Sequence, residues 1–522
     1  MSTKLLRLGT RRSALAWVQS SQVAAALRAA HPGLEVELVG IDTRGDKVLD
    51  VPLSSIEGKE FFTAEIDAAL LQGRVDFTVH SLKDLSLERP AGLVLAAVPL
   101  RANPRDIAIF AADVPARLAA GDGLRIGTSS PRRAELLPPF FARALPHAAR
   151  NTLTLENLRG NIDSRLRRLL EPRGSARHLD GLVLAFAGLS RLFADTTTDR
   201  QGRALLQGIL KDLPFMVLPL TDSPGAPGQG ALAIECRSDD SATRTLLAAL
   251  EDPPTRAAIV FERQLLAQYG GGCHQRFGAT LQWLTGLGGV LQIAGRSADG
   301  ADIAARRWLP DVVLPPPAGT VRIWDGSIAT PTNATGLVDA GALAQRLKAS
   351  AVFIAHSRAL PANGAAALQG RCVWTSGTKS WFALAAQGVW VHGCAEGQGA
   401  ETTVVVIAEP VLRLPPPDQW AVLTHAGAED PWQAGRWSGA DVIATYSLTE
   451  GSLPGANSLP TATHVFWHSV QQFERGRSLA SATAHHATGP GKTFEHVRRA
   501  GVRNLQAFPS IVEWREWTAR AH

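Results

Sequence analysis

Cysteine is scarce. The 522 residues contain 4, Cys236, Cys273, Cys372 and Cys394, and none forms a CxxC pair. That spacing excludes a zinc ribbon and a disulfide framework, and it suits a reducing cytoplasm. No stretch approaches the roughly 20 uninterrupted apolar residues that a membrane span needs. The opening MSTKLLRLGTRRSALAW lacks the apolar core of a secretion signal. Lysine is sparse beside arginine, and the net charge of +6 comes with no basic tail and no aromatic-basic stripe. Charge alone would allow nucleic acid. The arginines, however, occur singly and in pairs at turns, which favours a small acidic ligand, because a guanidinium fork matches carboxylate or phosphate. The expectations are a cytoplasmic protein with no membrane, nucleic-acid or metal partner; a monomer is allowed.

Tryptophan is nearly absent from the first part of the chain. Only Trp17 and Trp283 precede residue 300, and the other eleven of 13 follow it. The stretch LPPPAGTVRIWDGSIATPTNATG, residues 314–336, is rich in Pro, Gly, Thr and Ala and reads as a linker. The chain length allows about three or four domains, and the composition shift divides the chain near 310–345.

The first part alternates short apolar runs with amphipathic stretches, which predicts an α/β fold with largely parallel strands. LLRLG, VELVGIDT, VDFTVH, LVLAAVPL and LRIGTSS read as strands. SALAWVQSSQVAAALRAA reads as a helix with Ser13 as N-cap, and FFTAEIDAALLQG as a helix closed by Gly73. HLDGLVLAFAGLSRL reads as a strand entering a helix. The second part repeats itself. VFIAHSRAL at 352–360 resembles VFWHSVQQF at 465–473, and TKSWFALAAQGV at 378–389 matches GKTFEHVRRAGV at 491–502 at an offset of 113. Each copy is expected to run from a strand ending in Ser through a turn and a helix to a closing Gly-Val. The second part is therefore expected to form two related α/β lobes.

Arginine marks three strand-to-helix junctions. Arg11 and Arg12 precede the helix that Ser13 caps. In GTSSPRRAELL, Ser130 can cap, Pro131 suits the first helical position, and Arg132 and Arg133 follow. In LRGNIDSRLRRLL, Arg159 lies before the helix and Arg165 inside it. Helix N-termini attract anions, and open α/β sheets bind ligands beyond the carboxyl ends of their strands. Three such junctions imply a ligand with several carboxylates or phosphates. Asp84, in VDFTVHSLKDLS, would lie at the mouth of that cleft, where an acid/base group belongs; its ordinary reading is a cap or a surface ion pair. TRGDKVLDVPLSSIEGKEFF is polar and glycine-containing, as an active-site lid or a plain surface loop would be. SPGAPGQGALAIECR reads as a turn and strand that close the first domain. Cys273, in YGGGCHQRFG, has little backbone shielding, so a group can be joined to its sulfur; for the Gly-Cys pair alone a buried thiol in a turn is the ordinary reading.

These motifs together resemble hydroxymethylbilane synthase, also called porphobilinogen deaminase, over about residues 4–300. The resemblance rests on LRLGTRRSALA, TRGDKVLD, GKEFF, DFTVHSLKD, GTSSPRR, LRGNIDSRL, AGLSRL, PGQGALAIECR and GGCHQRFG, in order. It implies stepwise condensation of four porphobilinogens, with loss of ammonia, on a dipyrromethane cofactor that the enzyme assembles itself and holds by a thioether to Cys273. It implies Asp84 as the catalytic acid/base and stabiliser of azafulvene and pyrrolium cations. Lys83, Ser129, Arg132 and Arg133 would bind the cofactor, and Arg11, Ser13, Arg159, Arg165 and Arg191 the substrate. Lys59 and Phe62 match the lid. The implied fold is two periplasmic-binding-protein-like domains, 1–105 with 213–238 and 106–212, plus a small α+β domain at 239–312 bearing the cysteine, then a linker at 313–345. The chain departs from the pattern in three places. Asp84-Leu85-Ser86 replaces Asp-Val-Pro, the turn MVLPLTDSPGA is longer, and His274-Gln275-Arg276 follows the cysteine where small or apolar residues are common.

Residues 346–522 resemble uroporphyrinogen-III synthase, through SGTKSWFALAAQGV, TGPGKTFEHVRRAGV, WHSVQQF and IATYSL. That match implies a two-lobed region which closes hydroxymethylbilane into a ring, with Tyr446, Ser469, Lys492 and Thr493 as ligand contacts. Two other readings are a deaminase whose second half is a non-catalytic partner domain, and a solute-binding protein built on the same two domains. The second of these leaves Cys273 and Asp84 without a purpose.

Overall fold

The structure, a computed structural model, describes residues 4–43, 63–147, 152–194, 200–269, 275–311, 314–317, 319–326, 334–433, 435–448, 453 and 455–520. The chain folds as two compact units. The first comprises residues 1–142, 148–281 and 292–305, the second residues 143–147, 282–291 and 306–522.

The first unit holds two five-stranded sheets. One contains β1 (Lys4–Arg11), β2 (Leu34–Ile41), β3 (Phe77–Ser81) and β4 (Leu93–Ala97). The other contains β5 (Asp106–Phe110), β6 (Leu124–Gly127), β7 (Leu153–Glu156), β8 (Gly181–Ala185) and β9 (Phe215–Val217). The chain then returns to give β10 (Leu232–Arg237) to the first sheet. The spatial orders are β2-β1-β3-β10-β4 and β7-β6-β8-β5-β9. β10 runs antiparallel to both β3 and β4, and β5 runs antiparallel to both β8 and β9. Each sheet is thus parallel except for its fourth strand, which arrives on a crossing from the other sheet. The expectation of largely parallel strands holds with that exception.

Side-chain periodicity explains the elements. In β2, Leu34 and Val36 are buried and alternate with exposed Glu35 and Glu37, the period of a half-covered strand. They join Leu6, Leu8, Phe77, Val79, Ile234 and Cys236 from the sheet, and Val23, Ala24 and Leu27 from the helix Ala14–Ala30, in one core. Ser13 caps that helix by accepting from Ala16 N at 3.4 Å. The helix Ala64–Leu71 ends just before Gly73, whose φ of 69° is readily adopted only by glycine.

A helix, Pro253–Gln268, precedes a three-stranded sheet of β11 (Arg276–Leu284), β12 (Gly288–Arg296) and β13 (Asp302–Leu309), in that order.

The second unit contains two further sheets. The larger runs β15-β20-β19-β16-β17-β18, from β15 (Ala334–Gly336), β16 (Ala351–Ile354), β17 (Cys372–Thr375), β18 (Gly393–Cys394), β19 (Ala421–His425) and β20 (Asp441–Leu448). The smaller runs β14-β21-β22-β23, from β14 (Ile323–Trp324), β21 (His464–Trp467), β22 (His485–Thr488) and β23 (Leu505–Ala507), with every pairing parallel. The stretch 313–345 is more than a linker: it supplies the edge strands β14 and β15 and the start of the helix Ala340–Arg346. The two repeat copies also differ. The second has an α-helix, Val470–Gly476, after its strand, whereas the first has 3-10 segments, Gly364–Leu368 and, before it, the turn Ser357–Ala359. Pro361 follows that turn, and proline both disfavours helix in the residue before it and donates no N–H. Tryptophan fills the cores of this unit; Trp374, Trp381, Trp420, Trp437, Trp467 and Trp514 are fully buried.

Candidate active site

The carboxyl ends of parallel strands in the first unit carry nearly every expected site residue. β1 ends at Arg11, and Ser13 follows it. β3 runs into the 3-10 turn Leu82–Asp84, with Leu82 buried, Lys83 half-buried and Asp84 exposed. β6 leads through half-buried Ser129 into the helix Pro131–Ala144; there Ser130 Oγ accepts from Arg133 N at 3.4 Å. β7 leads to Arg159 and to Arg165 in the helix Ile162–Arg167, and β8 continues into the helix Phe186–Ala194 with Arg191.

Electrostatics draw a subset of these groups together. Burial pushes the Lys83 ammonium down, Asp84 and Asp106 oppose that, and Arg133 and Arg132 reinforce it. Arg165 is pushed down to about 10 by burial and by Arg133 and Arg159, against Asp84. Asp84, Lys83, Arg132, Arg133, Arg159 and Arg165 therefore share one field. Arg191 donates to Gly230 O at 2.8 Å, in the crossing before β10.

Arg132 and Arg133 are less free than the sequence suggested. Arg132 is 2% exposed, donates from Nη1 to Pro224 O at 2.8 Å and from Nη2 to Asp106 Oδ2 at 2.7 Å. Arg133 grips Asp106 through Nε at 3.1 Å and Nη2 at 2.8 Å, and donates from Nη1 to Val183 O at 2.8 Å. The reason is Asp106 itself, a fully buried carboxylate. Burial raises its carboxyl pKa, but the two guanidiniums more than reverse that and hold it well below the usual range. Arg132 Nε alone of its nitrogens is buried without a hydrogen-bond partner.

Arg159 is the opposite case. Its Nε and Nη2 are buried and make no hydrogen bond. Buried unpaired donors are costly and uncommon. Two on one guanidinium, beside Arg165 and Asp84, fit an incoming carboxylate. Arg165 donates from Nε to Gly160 O at 2.6 Å. Among the described residues no hydrogen bond is made by the Asp84 carboxylate, which leaves it open to a ligand.

Sequence reasoning missed Asp106 and Gln229. Gln229 is fully buried, donates to Pro104 O at 2.7 Å and to Asp106 Oδ1 at 2.9 Å, and accepts from Lys83 Nζ at 3.3 Å. The turn PGQG therefore links Lys83 to Asp106 as well as leading into β10. Its glycines are required: a Cβ on Gly228 would meet Leu82 Cδ2 at 2.5 Å, and one on Gly230 would meet Ala102 O at 2.3 Å. The available signal for Asp106 was an acid at the head of the apolar run DIAIF. Cys273, Lys59 and Phe62 lie outside the described residues. The helix Pro253–Gln268 leads toward Cys273, and β11 begins three residues after it.

The candidates of the second unit divide. Ser469 caps the helix Val470–Gly476 by accepting from Gln472 N at 3.2 Å. Lys492 opens the helix Lys492–Arg499, with Nζ 2.7 Å from the centre of the Trp432 ring and no hydrogen bond; burial pushes its ammonium down to about 6, against Glu401. Thr493 follows it, half-buried. Tyr446 lies on β20, 6% exposed, with its ring 5.7 Å from that of His425. No helix among the described residues is long and apolar enough to cross a membrane.

Residues 6–245 match the family model described as porphobilinogen deaminase, dipyromethane cofactor binding domain. The porphobilinogen deaminase of Roseiflexus sp. (strain RS-1) is 44% identical over 276 residues, covering 52% of this chain and 80% of that one. The porphobilinogen deaminase of Syntrophotalea carbinolica is 40% identical over 58% of this chain and 88% of its own. That of Acidothermus cellulolyticus is 40% identical over 64% of this chain and 86% of its own. The field of arginines, the open Asp84 and these likenesses meet in the same residues: the chain belongs to the porphobilinogen deaminase family, whose cofactor is dipyrromethane.

Proposed function

We propose that the first unit is a hydroxymethylbilane synthase joining four porphobilinogens with release of ammonia, and that Asp84 is its acid/base group. Bound through Cys273, dipyrromethane supplies the end to which each new pyrrole is joined. The chain's own groups do the rest. Arg159 and Arg165 fasten substrate acetate and propionate groups. Asp84 holds or yields a proton at the aminomethyl nitrogen, so that ammonia leaves, and its charge favours the cation that develops on the pyrrole. Lys83, fixed by Gln229, is placed beside Asp84 to meet a carboxylate. Arg132 and Arg133 act mainly by neutralising Asp106, with Arg132 Nε left to a ligand. Arg11, Ser13, Ser129 and Arg191 complete the cleft, and Lys59 and Phe62 belong to the lid. The observation that carries this is the pair of buried, unpartnered nitrogens, Nε and Nη2, on half-buried Arg159 in the same field as Asp84. The five-stranded sheets support two domains here, expected at 1–105 with 213–238 and at 106–212, but β9 (Phe215–Val217) pairs with β5, which moves the return crossing to after residue 217; a third domain at 239–312 follows in this reading. The test is intact mass. A covalent adduct of dipyrromethane size, lengthening in whole pyrrole units when porphobilinogen is added, is expected; an unmodified mass throughout overturns the reading.

For the second unit we propose a uroporphyrinogen-III synthase-like region that closes the product with inversion of its last ring. Its two sheets, each with a parallel strand pair from one repeat copy, support this. The competing reading, a non-catalytic partner domain, is favoured by Ser469, whose hydroxyl caps a helix. Adding hydroxymethylbilane to the chain separates them: type III uroporphyrinogen marks the synthase, type I alone the partner domain.

A further inference from the structure

Three neighbouring strands of the second unit carry, at or near their carboxyl ends, groups that can donate hydrogen bonds. β16 and β19 pair in parallel with Ile354 opposite Leu423, so His356 and His425 each stand two residues past that pair. The alignment is kept past the strand end, because Ala355 N donates to Leu423 O at 3.0 Å. β20 lies on the other side of β19, with Tyr446 opposite His425. A register shift between Thr424 and His425 accompanies that pairing, and bulges of this kind re-aim side chains near sites. His356 Nδ1 accepts from Arg358 N at 3.1 Å, which leaves the proton of the neutral ring on Nε2 as a donor. Arg358 is exposed. It acts electrostatically on both His356 and Tyr446, while Glu429 acts on His425.

We propose that His356, Arg358, His425 and Tyr446 form a carboxylate-binding subsite at the carboxyl end of the larger sheet, taking an acetate or propionate group of an acidic pyrrole chain. This rests on the synthase reading of the second unit and adds the residues that hold its substrate. Arg358 supplies the fork, His356 Nε2–H and the Tyr446 hydroxyl supply single donors, and His425 packs against the Tyr446 ring. The place is where a parallel sheet binds its ligands. The donors outnumber the acids: Glu429, which acts on His425, stands against two histidines, an arginine and a phenol. An apolar or cationic ligand would leave these donors without partners. Tyr446, 6% exposed, gives the subsite a rigid wall.

The experiment uses the full chain with freshly prepared hydroxymethylbilane and reads the initial rate of type III product against substrate concentration. Deaminase activity on porphobilinogen is the internal control for folding. Arg358→Ala should raise KM about 10- to 100-fold, the scale of one charge-assisted hydrogen bond, with kcat within about twofold. Arg358→Lys should recover part of the loss, and His356→Gln should raise KM less. Type III product from the unaltered chain with unchanged KM in Arg358→Ala and His356→Gln overturns the subsite and leaves the synthase reading standing. Type I product alone from the unaltered chain overturns both. Loss of all synthase activity in Arg358→Ala that Arg358→Lys does not relieve counts against the subsite, since an exposed carboxylate anchor affects KM first.

Discussion

Arg133 holds both carboxylate oxygens of Asp106, Nε to Oδ2 at 3.1 Å and Nη2 to Oδ1 at 2.8 Å. The pair lies at the head of β5, where the chain has just crossed from one sheet to the other. Asp106→Asn should therefore behave as a folding variant, because it leaves two arginines buried without their counter-charge. The expected loss is about 3–5 kcal/mol in urea unfolding of the cofactor-loaded enzyme. Asp84→Asn, at an exposed position, should leave stability unchanged in the same assay.

Asp84→Asn should instead lower turnover by roughly a hundredfold or more at saturating porphobilinogen, the combined scale of proton transfer and charge stabilisation. Asp84→Glu should keep part of the activity. Near-normal turnover in the asparagine variant would remove Asp84 from the chemistry.

Cys273→Ser should give a folded chain without the dipyrromethane adduct, because a hydroxyl is a far weaker nucleophile than a thiolate. Intact mass and an acid aldehyde reagent for pyrroles check this. Retention of the adduct would show that it is attached elsewhere.

Arg159→Leu and Arg132→Leu should fail differently. Arg159 has free buried donors, so its loss should stall elongation at a particular pyrrole number while stability holds; bound intermediates are counted by mass. Arg132 serves Asp106 and Pro224 O, so its loss should reduce stability and all steps together. Identical stalling patterns with full stability in both variants would contradict the division.

Acid should weaken both units. His80 and His392 are each pushed down to about 4, chiefly by burial. Their folded values lie below the unfolded value, so the unfolded chain binds protons first. Stability is complete above about pH 6.5 and falls as the pH drops toward 4, by about 2 kcal/mol per histidine at pH 5. His392 Nδ1 accepts from Val373 N at 3.0 Å, a bond that protonation abolishes. His392→Gln should flatten the slope of stability between pH 7 and 5; an unchanged slope would show that His392 does not drive it.

The local signals in the sequence were good guides. Ser13 caps where expected, Gly73 follows its helix, and the arginines of three junctions stand at or beyond strand ends. What could not be read was long-range. Nothing in LAIECR says that it will pair with strands about 150 residues earlier in an antiparallel sense. Nothing in GTSSPRR says that its arginines will meet Asp106 before any ligand. β14 and β15 escaped notice because strands of two and three residues are too short to show alternation. In the repeat, Pro361 was visible, and its effect on the first copy could have been drawn from the residue alone.

The fourth strand of each sheet in the first unit has a consequence for synthesis. β10 fills the gap between β3 and β4, yet it leaves the ribosome long after them, when the whole second sheet has already been made. Until residue 237 emerges, β3 and β4 present unpaired backbone edges to the cell. The second sheet, whose β5 to β9 are consecutive, can close first. The nascent chain therefore matures from its middle outward, and any truncation before residue 237 leaves Asp84 on a sheet that cannot be completed.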